Sequence, residues 1–360
     1  MDKNKDYQII EYESRYFPSI LELFSIVHED YMDERLWKWK YFYPSRKPAQ
    51  ILMAVQQGKV VGIQPAFFNR MKMGNTERLA CMLADVMTHP KHRRKGVFSA
   101  LVEESKQKAL EKGVPLIYTF PNEQSFPMFI RHLKWHHIFS LPLHIKITNM
   151  LRIVQEWKGP KSKSFALHAL APIQKLMFRQ LTVQSKQYEI QEISQINEED
   201  VSSLLEDSLS EFPFAVIRDR SYLEWRYIKH PRHTYRIFQA CKDQKLVGLL
   251  IFRMGTFQNI TICFLCDFFV DRNHQNGGLA LLAEMEHIMS EERVGIAGSL
   301  MLSSKRESKI LKRAGFRILP RRLAGKEFYL VSQSDDVSIK KNFLLNPQNW
   351  FMTWGDTDIV

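Results

Sequence analysis

The sequence predicts an α+β fold built twice, as two tandem domains each with a mixed α/β sheet. Two observations carry this: landmarks recur at nearly constant spacing, and each copy runs antiparallel hairpins first and a strand-helix-strand unit second. Trp39-Lys40-Tyr41, with Pro44 shortly after, resembles Trp225-Arg226-Tyr227 with Pro231, and Val60-Val61-Gly62 resembles Leu246-Val247-Gly248, both 186 residues apart. Asp85, His92 and Gly96 match Asp267, His274 and Gly278 at an offset of 182, so a four-residue indel separates the two blocks. Tyr7-Gln-Ile-Ile-Glu likewise resembles Tyr188-Glu-Ile-Gln-Glu. Chance similarity would not hold an offset across so many landmarks.

In the first copy, a short strand (8–12) leads to a helix (18–28), and the aromatic segment Trp37 to Tyr43 follows. An amphipathic core helix accounts for Trp39 and its counterpart Trp225 better than an acceptor-lining role does. Strand runs at 49–56 and 60–69 flank the turn Gln57-Gly58, which suits a hairpin. Residues 78–88 form another strand-length apolar run, and apolar positions 97, 98, 101, 102, 109 and 110 mark a helix ended by Gly113. A strand (114–120), a helix (124–133) and a last strand pair (137–147) complete the copy. The expected organisation is a first domain over 1–155, a linker with a docking helix over 156–184, a second domain over 185–335 and a tail over 336–360. The linker contains Gly159-Pro160, the cations Lys158, Lys161 and Lys163, and a helical run over 165–181. In the tail, Trp350, Phe351 and Trp354 are expected to pack on a domain surface.

At 360 residues, 45% hydrophobic and 12% aromatic, the composition excludes a disordered chain. The longest uncharged run, Met254 to Cys266, is broken by polar residues and too short to span a bilayer. The charged N-terminus does not resemble a signal peptide, so a cytoplasmic location is expected. Four cysteines are too few for a disulfide framework. Cys263 and Cys266 have CxxC spacing but lie in an apolar strand run, where core burial is the better reading. His89, His92, His136 and His137 lack a carboxylate or thiol at ligand spacing, so no metal is expected. The net charge of +12 favours an anionic partner without naming it. No zinc finger, RNA-recognition motif or basic helix supports a specific nucleic acid partner.

The stretch LADVMTHPKHRRKGVFSALVEE carries the chemistry. A strand ending at Thr88 runs through Arg93-Arg94-Lys95-Gly96-Val97-Phe98 into a helix, whose N-terminus offers free N–H groups and a favourable dipole to an anion. Gly96 permits close backbone approach, and the three cations add charge beside it. These features describe a diphosphate site. A solvated basic loop before an ordinary helix is the alternative.

Arg93-x-x-Gly96-x-Phe98, between a strand and a helix, resembles the acetyl-CoA pyrophosphate loop of GCN5-related N-acetyltransferases, the GNAT family. Tyr118-Thr119-Phe120-Pro121-Asn122, with a following helix ending in Leu133-Lys134-Trp135, is similar to the family's next strand and its Asn-led helix. In the second copy, Gln275-Asn276-Gly277-Gly278-Leu279-Ala280 fits the loop, and Ala314-Gly315-Phe316 ends the corresponding helix. The chain also departs from the pattern. Phe98 replaces a small residue, where it narrows the loop or stacks near the cofactor; the place of the family's acid Tyr is Phe129 in one copy and Leu311 in the other; Ser304 replaces Asn122; and the second copy lacks the cations. The first copy is therefore expected to be active and the second to be a degenerate or substrate-side domain.

The resemblance implies direct acetyl transfer from acetyl-CoA. Backbone amides at Met87 and Thr88 would hold the pantetheine arm and the thioester carbonyl, an oxyanion-type stabilisation. Arg93, Arg94, Lys95, Gly96, Val97 and Phe98 would hold the diphosphate, with Asn122 opening the next helix at the cofactor. The acceptor must lose a proton and the thiolate must gain one. Asp85, expected on one strand face with Met87, is the candidate base unless it only anchors a loop, as the repeated Asp267 suggests. Tyr118 is the candidate acid unless it is core. The expected acceptor is a primary amine of a small molecule or amino sugar. The missing Tyr also supports a non-catalytic acyl-CoA-binding protein.

Overall fold

The computed structural model describes residues 6–28, 32–43, 46–156, 187–257, 259–302, 306–336 and 339–357. The linker helix expected over 165–181 and Ser304 lie outside the described residues.

In the first half the chain forms β1 (Gln8–Glu11), α1 (Phe17–Val27), α2 (Glu34–Tyr41), β2 (Gln50–Gln56), β3 (Lys59–Met73), β4 (Thr76–Leu83), β5 (Met87–Thr88), α3 (Val97–Glu111), β6 (Leu116–Thr119), β7 (His136–Leu141), β8 (Leu143–Ile147) and α4 (Met150–Glu156). The second half forms β9 (Glu189–Glu192), α5 (Glu198–Leu209), β10 (Phe214–Val216), α6 (Arg220–Leu223), β11 (Arg236–Lys242), β12 (Lys245–Phe257), β13 (Ile260–Val270), α7 (Gln275–Glu291), β14 (Ile296–Leu300), α8 (Arg306–Arg313), β15 (Arg317–Ile318), β16 (Phe328–Gln333) and β17 (Trp350–Phe351). No helix among the described residues is long and apolar enough to cross a membrane.

The chain divides into two compact units whose sequences interleave. The first comprises Met1–Ser140, Lys229–Arg232 and Phe328–Asn349; the second comprises Leu141–Ile228, His233–Glu327 and Trp350–Val360. The first unit's sheet runs β1-β2-β3-β4-β6-β16-β7, with β5 on β3, and the second's runs β15-β8-β14-β13-β12-β11-β9. Each half thus lends a strand to the other unit, so the compact units differ from a division at 155 and 185. The two strands expected over 137–147 form, as β7 and β8, but they do not pair with each other. Only Pro142 separates β7 from β8, and one residue cannot reverse a chain that needs at least two for a hairpin. β8 pairs instead with β14, from Leu143↔Leu300 to Ile147↔Ile296. Buried Lys146 fixes it there, donating to Glu286 and, at 2.6 Å, to the Ala314 carbonyl.

The repeat is visible in the register. The β3–β4 ladder runs from Ala66↔Leu83 to Met73↔Thr76, and β12–β13 from Phe252↔Leu265 to Phe257↔Ile260. The second hairpin is two residues shorter on each strand, which accounts for the four-residue change of offset. In each unit one long helix covers one sheet face. Val97, Leu101, Val102 and Ala109 of α3 are buried, the first two against Leu52, Ala54 and Val61 and the other two against Ala66, Phe68, Cys81 and Leu83, each buried Val or Leu contributing about 1.5–3 kcal/mol. Gly113 at φ +71 ends the helix. In the second unit α7 lies on Phe238, Val247, Leu265 and Phe268. Cys263 and Cys266 are both fully buried there, and burial pushes the Cys266 thiol up to about 12, which makes both core residues.

Glu307, at the start of α8, is buried, with Oε1 unpaired among the described residues. Burial raises its pKa to about 7, with Arg306 opposing. An acid whose pKa is raised by folding costs stability as pH rises from its ordinary value through 7. Glu307→Gln should therefore stabilise the protein at pH 8 by up to about 3 kcal/mol and give no gain at pH 4. Denaturant unfolding at the two pH values measures this.

Candidate acyl-CoA site

The site of the first unit begins with a bulge. Ile63 pairs with Met87 and Ala66 with Leu83, so two residues of β3 face the three residues Ala84, Asp85 and Val86. Pro65 has no N–H for the ladder, and the Ala84 N–H donates to its carbonyl at 3.1 Å. The strand expected over 78–88 is therefore broken. Asp85 sits at φ +46, a left-handed conformation costing a non-glycine residue roughly 1–2 kcal/mol, so period-2 alternation does not put it on a common strand face with Met87.

The bulge has two consequences. First, β4 leaves β6: their parallel ladder stops at Leu83↔Thr119, and β5 continues on β3 alone, which opens the two strand ends. Second, it sets which amides face the opening. The His89 N–H donates to the Val61 carbonyl at 2.9 Å, so by antiparallel alternation the Met87–Ile63 pair is also hydrogen-bonded and the Thr88 N–H between them points away from β3. Thr88 Oγ1 is buried without a partner among the described residues. Of the two amides expected to serve a pantetheine arm, the geometry commits Met87 to the sheet and turns Thr88 out of it.

Beyond Thr88, a short 3₁₀ turn (Pro90–His92) leads to the basic loop. His89 caps this turn, its Nδ1 accepting from the Lys91 N–H at 3.2 Å. Arg93, Arg94, Lys95 and Gly96 are all exposed, and no carboxylate pairs with the three cations among the described residues. Gly96 is the N-cap of α3 at φ +77, with no side chain capping the helix. A Cβ there would meet only the Tyr7 hydroxyl, at 3.9 Å, so backbone conformation rather than crowding calls for glycine. Free N–H groups, a dipole and three unpaired cations converge on one exposed turn. Val97 is buried against Leu52, Ala54, Val61 and Leu101. Phe98 is half-buried and packs edge-on to Phe129 at 5.4 Å.

Asp85 is half-buried and held by two neighbours from α2. The Tyr41 hydroxyl donates to Oδ2, and Lys40 Nζ lies 2.5 Å from the same oxygen. Burial raises the Asp85 pKa, but Lys40, Tyr41 and His28 outweigh it and hold the carboxyl below its usual range. Tyr41 stacks on Phe67 at 5.5 Å. Phe67, Met82 and Tyr118 lie opposite one another across β3, β4 and β6, so Tyr41 and Tyr118 belong to one sheet face. The Tyr118 side chain is fully buried. Its oxygen accepts from Asn69 Nδ2 at 2.9 Å, and Asn69 Oδ1 accepts from Arg46 at 2.6 Å. Asn122 is exposed, and its Oδ1 accepts from the Gln124 and Ser125 N–H groups at 3.0 and 2.9 Å, capping the turn that follows. Phe129, at the place of the family's acid, is fully buried among apolar side chains.

Sequence reasoning did not link Lys40 and Tyr41 to Asp85, and it missed Asn69 and Arg46. The first two had a signal, because Tyr41 and Asp85 both recur, as Tyr227 and Asp267. The pair recurs too, with the Tyr227 hydroxyl donating to Asp267 at 2.5 Å.

Residues 8–137 match the acetyltransferase (GNAT) domain and residues 200–316 the acetyltransferase (GNAT) family. The chain belongs to the GNAT acetyltransferases and carries two GNAT domains in tandem. No curated protein matches it in sequence. Among solved structures, a probable N-acyltransferase from Enterococcus faecalis V583 is similar at a TM-score of 0.64 and 14% identity, over 91% of this chain and 72% of that one. A GCN5-related N-acetyltransferase from Anabaena variabilis gives 0.62 and 11%, over 92% and 73%. A tandem GNAT protein from the clavulanic acid biosynthesis pathway gives 0.59 and 14%, over 91% and 98%. At these identities the likeness is one of fold.

Proposed function

We propose that the chain is a cytoplasmic N-acetyltransferase that moves an acetyl group from acetyl-CoA to a primary amine of a small molecule or amino sugar, with the chemistry in the first unit. The observation that carries this reading is the exposed turn at 93–96, where three cations with no carboxylate partner among the described residues meet the N-terminus of α3 beside the parted ends of β4 and β6. Arg93, Arg94 and Lys95 neutralise the diphosphate, and the backbone at Gly96, Val97 and Phe98 donates to it. The Thr88 amide holds the arm and polarises the thioester carbonyl. Asp85 takes the acceptor's proton. Tyr118 returns one to the thiolate, and the phenolate it leaves keeps the bond from Asn69, strengthened by the charge. The Asn122 side-chain oxygen is used as a local cap, so its part is to shape the loop facing the cofactor. Titration calorimetry with acetyl-CoA tests the site: micromolar binding supports it, and absence of heat contradicts it.

Because its pKa is lowered, Asp85 stays ionised as pH falls through the ordinary carboxylate range. Its stabilising pair with Lys40 is present above that range and lost only as pH drops through the lowered folded value. Acting as base, it should set no limb in kcat/KM between pH 5 and 8. Asp85→Asn should lower kcat by about 10²–10⁴-fold with acetyl-CoA affinity unchanged. A variant with full turnover but a lowered Tm would make Asp85 an anchor only.

One observation favours a second reading, a non-catalytic acyl-CoA-binding or regulatory protein. The Tyr41–Asp85 pair recurs as Tyr227–Asp267, buried away from any substrate. On that reading acetyl-CoA binds but no thioester turns over with an amine panel, and a single good turnover number removes it.

A further inference from the structure

The opening between parted strands exists in the second unit as well, and there the C-terminal segment fills it. The β13–β14 ladder stops at Leu265↔Ser299, the register equivalent of Leu83↔Thr119. Beyond it Thr353 forms an antiparallel bridge with Met301 on the β14 side and donates its hydroxyl to Asp267 Oδ1 at 2.5 Å on the β13 side. Among the described residues of the first unit, no strand or bridge joins the ends of β4 and β6 in this way.

The filling is tight and polar-matched. A Cβ on Gly355 would lie 2.2 Å from the Tyr227 hydroxyl and 2.6 Å from Asp267 Oδ2, so the segment rests directly on the counterpart of the Tyr41–Asp85 pair. The Gly355 carbonyl accepts from the Tyr222 hydroxyl at 3.0 Å and from Arg226 at 3.2 Å, and the Thr357 carbonyl accepts from Arg226 at 2.7 Å. Arg218, fully buried, bonds Asp267, Thr353 and Asp356 at 3.0, 3.0 and 2.6 Å. The Trp354 ring covers Gly298, which stands at the register position of Tyr118. Every residue from 350 to 357 is buried.

The anion end of this unit is also altered. α7 begins at Gln275, one turn before the equivalent of Gly96, and uncharged Gln275, Asn276 and Gly277 replace the three cations. Gly278 does not adopt a positive φ; a Cβ there would lie 2.7 Å from Val270, so it serves close helix–sheet packing.

We infer that residues 350–357 are a built-in occupant of the second unit's acyl-CoA slot, so that the chain takes one acyl-CoA, in the first unit. This rests on the proposed function for the first unit. Native mass spectrometry of the full chain titrated with acetyl-CoA tests it, together with hydrogen exchange on the ligand-free chain. One acetyl-CoA per chain, abolished in R93A/R94A/K95A, is expected. Two per chain, or one that survives the triple substitution, overturns it. If none binds, the functional reading fails, and the seal is judged on hydrogen exchange alone. Amides of 353–357 protected like those of β13 uphold the seal, and exchange within seconds overturns it.

Discussion

Replacing Arg93, Arg94 and Lys95 together by alanine is expected to weaken acetyl-CoA binding about 10²–10³-fold. Each cation facing a phosphate is worth roughly 1–1.5 kcal/mol at an exposed site, and three together reach about 3–4 kcal/mol. None of the three pairs with an acid among the described residues, so their loss removes no internal contact described there and the Tm should hold. That combination, a large affinity loss on an unchanged fold, is what separates a phosphate cradle from a solvated basic loop. Calorimetry at two salt concentrations sharpens it further. Wild-type binding should weaken as salt rises, and the triple variant should lose most of that dependence.

Arg218→Met is expected to destabilise the protein by about 3–5 kcal/mol, the cost of leaving a buried ionic partner unpaired. Arg218 joins Asp267 and Asp356, all three with side chains closed to solvent. Burial already raises the Asp356 pKa, with Arg218 holding it back. Without the guanidinium the burial of Asp356 is no longer opposed, so its folded pKa rises further above the unfolded one. The variant's stability is then retained in acid and lost as pH rises. The gap to wild type should narrow toward pH 5 and widen toward pH 8. Arg218→Lys should not restore stability, because the three donors of a compact ammonium cannot reproduce four directed bonds from a planar fork. Thermal melts across that pH range measure both effects.

The parts of this fold legible in the sequence are those fixed by local chemistry. α3 announced itself by its 3–4 stripe and by Gly113, and the basic loop by cations before a glycine. Lys134 at φ +59 stands where the second copy has Gly315 at +90, so even the helix-ending motif was readable despite its substituted glycine. What escaped depends on partners distant in sequence. The segment 137–147 reads as two strands, and only the single residue between them shows that they cannot pair with each other. The face of Asp85 was misjudged because the bulge arises from how β3 pairs with β4 and β5, and it recurs at Ile251 and Phe252 of the second copy, where no proline stands. Trp350, Phe351 and Trp354 were recognisable as packing residues, but their destination beside Asp267 rests on Arg218 and Tyr227, more than a hundred residues upstream. Lys40 and Tyr41 lay within a repeated landmark whose purpose becomes visible only with Asp85 beside it.

The central claim is that the turn at 93–98 of the first unit seats the diphosphate of acetyl-CoA. A crystal structure of the full chain with acetyl-CoA tests it most directly. The account predicts the diphosphate within hydrogen-bond distance of the backbone N–H groups of residues 94–98, with the arm passing the Thr88 amide between the ends of β4 and β6. A diphosphate bound elsewhere, or an arm lying in the second unit's opening in place of residues 350–357, would contradict it.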